Sequence, residues 1–167
     1  MSDKVSREKQ KPIEVLKSGH EEFRKIIERL QTDEIDTKLV VGKWSIRDVI
    51  AHVSAWYWEF IREIDGILAN QPIINVLSGE EEFNERAVAA RKGLKTKELI
   101  IEWEKSFTKL ISRIENLQGK EWFHKCDGFY WPDGSEITMQ SLFFSYQNDE
   151  VSHEMEHAKQ IFDILHL

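Results

Sequence analysis

The helical character of the chain is clearest in residues 44–68, which read WSIRDVIAHVSAWYWEFIREIDGIL. Ser45 and Asp48 have the spacing of a capping box, in which each side chain accepts a hydrogen bond from the other residue's backbone N–H. The pattern therefore predicts a helix with Ser45 as its N-cap, ending before Pro72. The residues of one face recur every three or four positions along this helix, and this face is predicted to be buried. Its members are Val49, His52, Val53, Trp56, Phe60, Ile64 and Ile67.

The remainder of the chain predicts more helices and no strands. Apolar residues recur at helical spacing over about 13–30, 80–92, 96–117 and 138–165, and the second of these segments is short and weakly patterned. Residues 118–137 lack such a pattern and are expected to form a long irregular loop before the last helix. The predicted fold class is therefore all-α, a helical bundle with an extra short helix.

Composition limits the classes of protein to consider. A chain of 167 residues corresponds to one domain, so we expect a single bundle over 1–167 with 1–11 flexible. The single cysteine, Cys126, excludes a disulfide framework. A formal net charge of -7 argues against nucleic acid as a partner, because phosphates require a basic face. The absence of a targeting segment and of a long apolar run predicts a cytoplasmic protein without membrane contact.

Three histidines fall where the predicted helices bury apolar side chains. Residues 153–157 read HEMEH, so His153 and His157 lie one turn apart on one helical face, which also carries Ile161. His52 occupies the buried face of the earlier helix. Each buried imidazole without a partner would cost about 1–3 kcal/mol, a cost that a shared divalent metal ion removes. His52, His153 and His157 are therefore the predicted metal ligands.

Other polar residues near these histidines, or on buried stripes, have different predicted roles. Glu150 lies one turn before His153 and is the predicted catalytic base, or else a further ligand or a hydrogen-bond partner of a ligand. Asp149, Glu154 and Glu156 are expected on a solvated acidic face of the last helix. His20 also lies on a buried stripe, where a hydrogen-bonded core histidine is the expected outcome.

Three protein ligands leave a coordination position for water or substrate, which is typical of catalytic rather than structural metal sites. The predicted function is therefore metal-dependent chemistry on a small molecule. Two other functions stay open. The bundle could sequester a small molecule without reaction, or it could be an inert, dimeric interaction protein.

Two blocks of the sequence resemble a known family. Residues 44–52 (WSIRDVIAH) and His153-x-x-x-His157, followed by Ala158-Lys159-Gln160-Ile161, resemble the second and last helices of the DinB/YfiT-like superfamily. The resemblance implies a four-helix bundle with a three-histidine site for nickel, zinc, iron or manganese at His52, His153 and His157. It also implies either transfer of a low-molecular-weight thiol or hydrolysis of a small molecule. The tryptophan-rich helix resembles the ClbS/DfsB-like branch, which includes a hydrolase, and many members of the superfamily form homodimers.

Overall fold

The chain folds into helices joined by short connections, with two small antiparallel strand pairs. The computed structural model describes residues 2–72, 79–146 and 151–167, and the side chains of 7–72, 79–143 and 151–167. Its helices are α1 (Ser2–Ile27), α2 (Thr32–Thr37), α3 (Ile46–Leu68), α4 (Glu80–Ala90), α5 (Thr96–Glu115), α6 (Gly119–Trp122), α7 (Met139–Tyr146) and α8 (His153–Leu165). Its strands are β1 (Leu39–Val41), β2 (Trp44–Ser45), β3 (Lys125–Tyr130) and β4 (Glu136–Thr138), paired β1 with β2 and β3 with β4.

The predicted start of α3 is confirmed. Ser45 Oγ accepts a hydrogen bond from the backbone N–H of Asp48 at 3.3 Å, and Asp48 Oδ2 accepts one from the Ser45 N–H at 3.1 Å. The predicted buried face is buried, with Phe60 and Ile64 fully shielded from solvent. This face packs mainly against α5, while α1 packs mainly against α8. The all-α prediction is confirmed, because the strands are only minor additions to a helical bundle.

Residues 118–137 are more regular than predicted. They contain α6 and the hairpin of β3 and β4, which turns at Gly134, a glycine with a φ of +85°. The prediction of an irregular loop was therefore wrong. The sequence did not reveal the hairpin because β3 carries no alternating pattern. Only Cys126 is buried in that strand, so its sequence lacks the period of two that identifies strands.

The two terminal helices also differ from the prediction. The last helix predicted over 138–165 is two helices, since Ser152 forms a new N-cap by accepting a hydrogen bond from the Met155 N–H at 3.2 Å. Helix α1 begins at Ser2, well before its apolar stripe. Lys9 anchors this polar first part of α1, because its ammonium group donates to the carbonyl oxygens of Glu115, the last residue of α5, and of Leu117 just after it, at 2.9 and 2.8 Å. Flexibility of residues 1–11 stays a prediction.

None of the described helices has both the length and the apolar character that a membrane span requires.

Candidate metal centre

The three predicted histidines come together between α3 and α8. His52 lies two turns into α3, and the capping box at Ser45 sets where this helix begins. His153 and His157 lie in the first turns of α8, whose start is set by Ser152. His52 and His157 are buried, and His153 is partly exposed. Two N-caps thus determine the axial positions of the three imidazoles.

The Nε2 atoms of the three rings face one another. Nε2 of His153 lies 3.0 Å from Nε2 of His52 and 3.0 Å from Nε2 of His157. One ring nitrogen of each histidine lies within 4.8 Å of those of the other two. A zinc ion about 2.1 Å from each nitrogen would hold tetrahedral ligands about 3.4 Å apart. The spacing fits a single divalent ion with modest adjustment of the rings.

Without an ion, this arrangement leaves nitrogens unsatisfied. Nε2 of a neutral imidazole carries either one hydrogen or one lone pair in the ring plane. Nε2 of His153 therefore forms a hydrogen bond with only one of its two nitrogen neighbours. The other contact is left without a well-directed hydrogen bond of its own. A cation that accepts all three lone pairs removes this conflict, so the donor set fits a first-row divalent metal.

The outer ring nitrogens differ between the histidines. Nδ1 of His157 donates a hydrogen bond to Oε1 of Gln160 at 2.8 Å, which leaves its Nε2 with a free lone pair facing the cluster. Nδ1 of His52 is buried and lacks a hydrogen-bond partner among the described side chains. Asn84 lies close enough to act on the His52 ring electrostatically, although no well-formed hydrogen bond joins the two.

Desolvation lowers the pKa of all three imidazoles and keeps them neutral near pH 7. Desolvation, followed by repulsion from His153 and His157, lowers the pKa of His52 to about 2. Desolvation and the neighbouring His157 lower the pKa of His153 to about 3. Desolvation also lowers the pKa of His157, and Gln160 and two glutamates oppose that shift. Neutral rings have lone pairs available near pH 7, as metal coordination requires.

An open groove of about 520 Å³ lies beside the cluster. Its wall includes Trp44, whose ring centroid lies 5.0 Å from that of His52. Asn84 also lines the groove and accepts a hydrogen bond from Nε1 of Trp56 at 2.8 Å. The charged residues of the lining are mostly acidic: they are Glu80, Glu81, Glu85 and Lys43, and Lys43 pairs with Glu85 at 2.9 Å.

The remaining predicted site residues have different outcomes. Glu150, the predicted catalytic base, and its neighbour Asp149 lie outside the described residues, so the role of Glu150 stays a prediction. The prediction of a solvated Glu154 was wrong, because its side chain is 1% exposed. His20 is a hydrogen-bonded core histidine, as expected, and it contacts Glu154 and Glu104.

The sequence did not identify Gln160 or Asn84 as site residues, and it placed Glu154 on the solvated face. Gln160 follows His157 by three residues on the same helical face, a spacing that could have identified it. Asn84 and the inward position of Glu154 depend on how separate helices pack, and no local pattern indicates them. The contact of Trp44 with His52 was not predicted either.

Comparison with known proteins supports the fold and the class of site. The model of the DinB superfamily matches residues 16–161, a range that includes all three histidines of the cluster. No curated protein and no solved structure shows significant similarity to the chain. The family match does not distinguish the ClbS/DfsB-like branch from others. The superfamily includes metal-binding enzymes, and the cluster of His52, His153 and His157 could hold a metal ion. Because the match extends over most of the chain, this protein belongs to the DinB superfamily.

Proposed function

We propose that this protein is a metal-dependent enzyme that acts on a small molecule, with His52, His153 and His157 as the protein ligands of one divalent ion. The observation that carries the proposal is the convergence of three neutral Nε2 atoms, two of the contacts being 3.0 Å. Such a donor set favours nickel, zinc, iron or manganese over hard cations that prefer oxygen ligands.

Side chains around the cluster have separate roles in such a site. Gln160 fixes the ring of His157 through Nδ1, so its Nε2 keeps a lone pair toward the ion. Trp44 covers one side of His52 and borders the groove through which a substrate would approach. When bound, the ion would act as a Lewis acid that polarises a carbonyl group or lowers the pKa of a water or a thiol.

Of the two reactions, hydrolysis is better supported than thiol transfer by the charge of the groove. Three glutamates face one lysine there, and that lysine already pairs with Glu85. Low-molecular-weight thiols that carry carboxylates would be repelled by this lining. A neutral or cationic substrate that reacts with water would not. The groove is also of ordinary size for a small-molecule site.

Parallel assays of zinc- and nickel-loaded protein test the proposal. One assay follows hydrolysis of chromogenic esters and amides, and the other follows conjugation of low-molecular-weight thiols to a fluorogenic electrophile. We expect turnover in the hydrolytic panel that His153→Ala abolishes. His166→Asn is the matched control, because it removes an exposed imidazole at a left-handed position that asparagine tolerates. Turnover only with thiols would select the transfer reaction instead.

Sequestration of a small molecule is the second candidate, and the open groove beside Trp44 is the observation that favours it. It predicts that a ligand binds equally well to metal-free protein and to His153→Ala. Metal-dependent turnover of any compound in either panel would exclude this alternative.

A further inference from the structure

Glu154 is a buried carboxylate in the helix that carries two of the three histidines. It is the second residue of α8, lies between His153 and His157 in the sequence, and is 1% exposed. Glutamate is among the residues that are almost never fully buried unless paired. Its burial in this place therefore requires an explanation in terms of specific partners.

Three helices supply hydrogen-bond donors to this carboxylate. Nε1 of Trp103 in α5 donates to Oε1 at 2.6 Å, and the hydroxyl of Tyr57 in α3 donates to Oε2. Nδ1 of His20 in α1 lies 3.3 and 3.2 Å from the two oxygens. An ionised carboxylate accepts hydrogen bonds on both oxygens and donates none, so it matches this set of partners. Burial and the neighbouring Glu154 raise the pKa of Tyr57 well above 10, so its hydroxyl keeps the proton that it donates.

The donors are themselves held in place. The ring of His20 stacks on Phe107 with centroids 3.6 Å apart and planes within 5° of parallel. Its Nε2 contacts Oε2 of Glu104 at 3.2 Å, and Glu104 accepts a hydrogen bond from Nε of Arg24 at 3.0 Å. The network thus extends from the core to the surface of the bundle, and none of its members belongs to the three-histidine cluster.

The position of Glu154 on α8 gives this network control over the orientation of the helix. Successive residues are about 100° apart around a helix, so Glu154 points into the core between α1, α3 and α5 while His153 and His157 point toward α3. A rotation of about 10° moves an atom roughly 6 Å from the helix axis by about 1 Å. Metal–ligand distances tolerate only about 0.2 Å. Fixing Glu154 therefore fixes both imidazoles.

We propose that Glu154 is a positioning residue for the metal centre: its carboxylate, held by His20, Tyr57 and Trp103, locks the rotation of α8 so that His153 and His157 converge with His52. This inference rests on the proposed function, since it assumes that the three histidines bind a metal ion. It assigns to the buried network a role in pre-organising the site beyond its contribution to folding.

The test compares Glu154→Gln with Ile161→Ala. Glutamine keeps the size of the side chain but offers one acceptor oxygen instead of two. Ile161 is fully buried in the same helix and is not part of the network, so its truncation destabilises α8 without releasing the lock. Zn²⁺ affinity is measured by competition with a chelator, and the visible spectrum of bound Co²⁺ reports the coordination geometry. Thermal unfolding of each metal-free variant measures the purely structural cost.

We expect Glu154→Gln to weaken Zn²⁺ binding by about 10- to 100-fold and to alter the Co²⁺ spectrum. Ile161→Ala should retain the wild-type spectrum and nearly the wild-type affinity despite a lower melting temperature. Equal effects of the two variants on affinity, or wild-type affinity in Glu154→Gln, would overturn the inference. If Glu154→Gln does not fold, Trp103→Phe, which removes one donor, replaces it with the same two readouts. Wild-type protein that binds neither ion would instead overturn the proposed function.

Discussion

Gly19→Ala should destabilise the protein by disturbing the start of the helix that carries His153. A Cβ atom on Gly19 would lie 2.0 Å from Oγ of Ser152, 3.2 Å from the backbone nitrogen of Met155 and 3.3 Å from its Cβ. The hydroxyl of Ser152 is the N-cap of α8, and it would have to leave that position. The substitution therefore acts on the contact between α1 and the first turn of the metal-binding helix.

The expected change in the free energy of unfolding combines two destabilising effects with one stabilising effect. Loss of an N-cap costs about 1 kcal/mol, and overpacking a closely packed contact costs about 1–3 kcal/mol. Alanine regains about 1 kcal/mol over glycine through its helix propensity. The net loss in the free energy of unfolding is about 2 kcal/mol. Urea denaturation of metal-free protein, followed by tryptophan fluorescence, should show a lower midpoint with an unchanged slope.

Gly93→Ala is the matched control. A Cβ at Gly93 would meet no atom within 4 Å, so we expect a change within about 0.5 kcal/mol. The double variant Gly19→Ala/Ser152→Ala removes the atom that Gly19→Ala would overlap. Its loss should therefore be smaller than the sum of the two single losses. A Gly19→Ala protein as stable as wild type, or more stable, would refute the close approach of α1 and α8.

Three further outcomes follow from the histidine cluster. Chelation of metal-loaded protein should lower its stability in a thermal melt. The loss is about 2.7 kcal/mol if the free ion had been at 100 times its dissociation constant. An unchanged melt would mean that no ion binds the folded state. Metal-free protein should lose stability as the pH falls below about 6.5, because the unfolded histidines then bind protons that His52 and His153 do not take up until about pH 2 and 3. The slope should approach about 1.4 kcal/mol per pH unit for each histidine, and a flat profile of urea midpoints between pH 6.5 and 5 would contradict the burial of these rings. Gln160→Leu should weaken Zn²⁺ binding by about 10-fold and Gln160→Glu should restore it, whereas equal affinities in a chelator competition would show that the Nδ1 contact of His157 is unimportant.

The sequence predicts the cluster because its signals are local. The spacing of His153 and His157 places both on one face of any helix that contains them, and the capping box at Ser45 determines the phase of α3. Each helix also carries enough apolar residues to show which face is buried. The prediction of the cluster then rests on both faces meeting in one core, where a shared metal ion would satisfy three buried imidazoles.

The parts that the sequence did not predict depend on packing between distant segments. Glu154 lies next to a buried stripe and resembles any exposed glutamate until His20, Tyr57 and Trp103 are placed around it. The break before α8 depends on one serine cap. The apolar stripe continues across this break, so the sequence predicted a single helix. The hairpin of β3 and β4 has few buried residues, so its strands show almost no hydropathy pattern in the sequence.

Counting the ions bound per chain tests the central claim most directly. Protein purified without an affinity tag, loaded with Zn²⁺ and dialysed, should contain one zinc ion per chain by elemental analysis. Each of the alanine variants of His52, His153 and His157 should lose that ion while keeping a helical circular dichroism spectrum, and His166→Asn should keep it. A wild-type protein without zinc, or three alanine variants that each still bind one ion, would contradict the account.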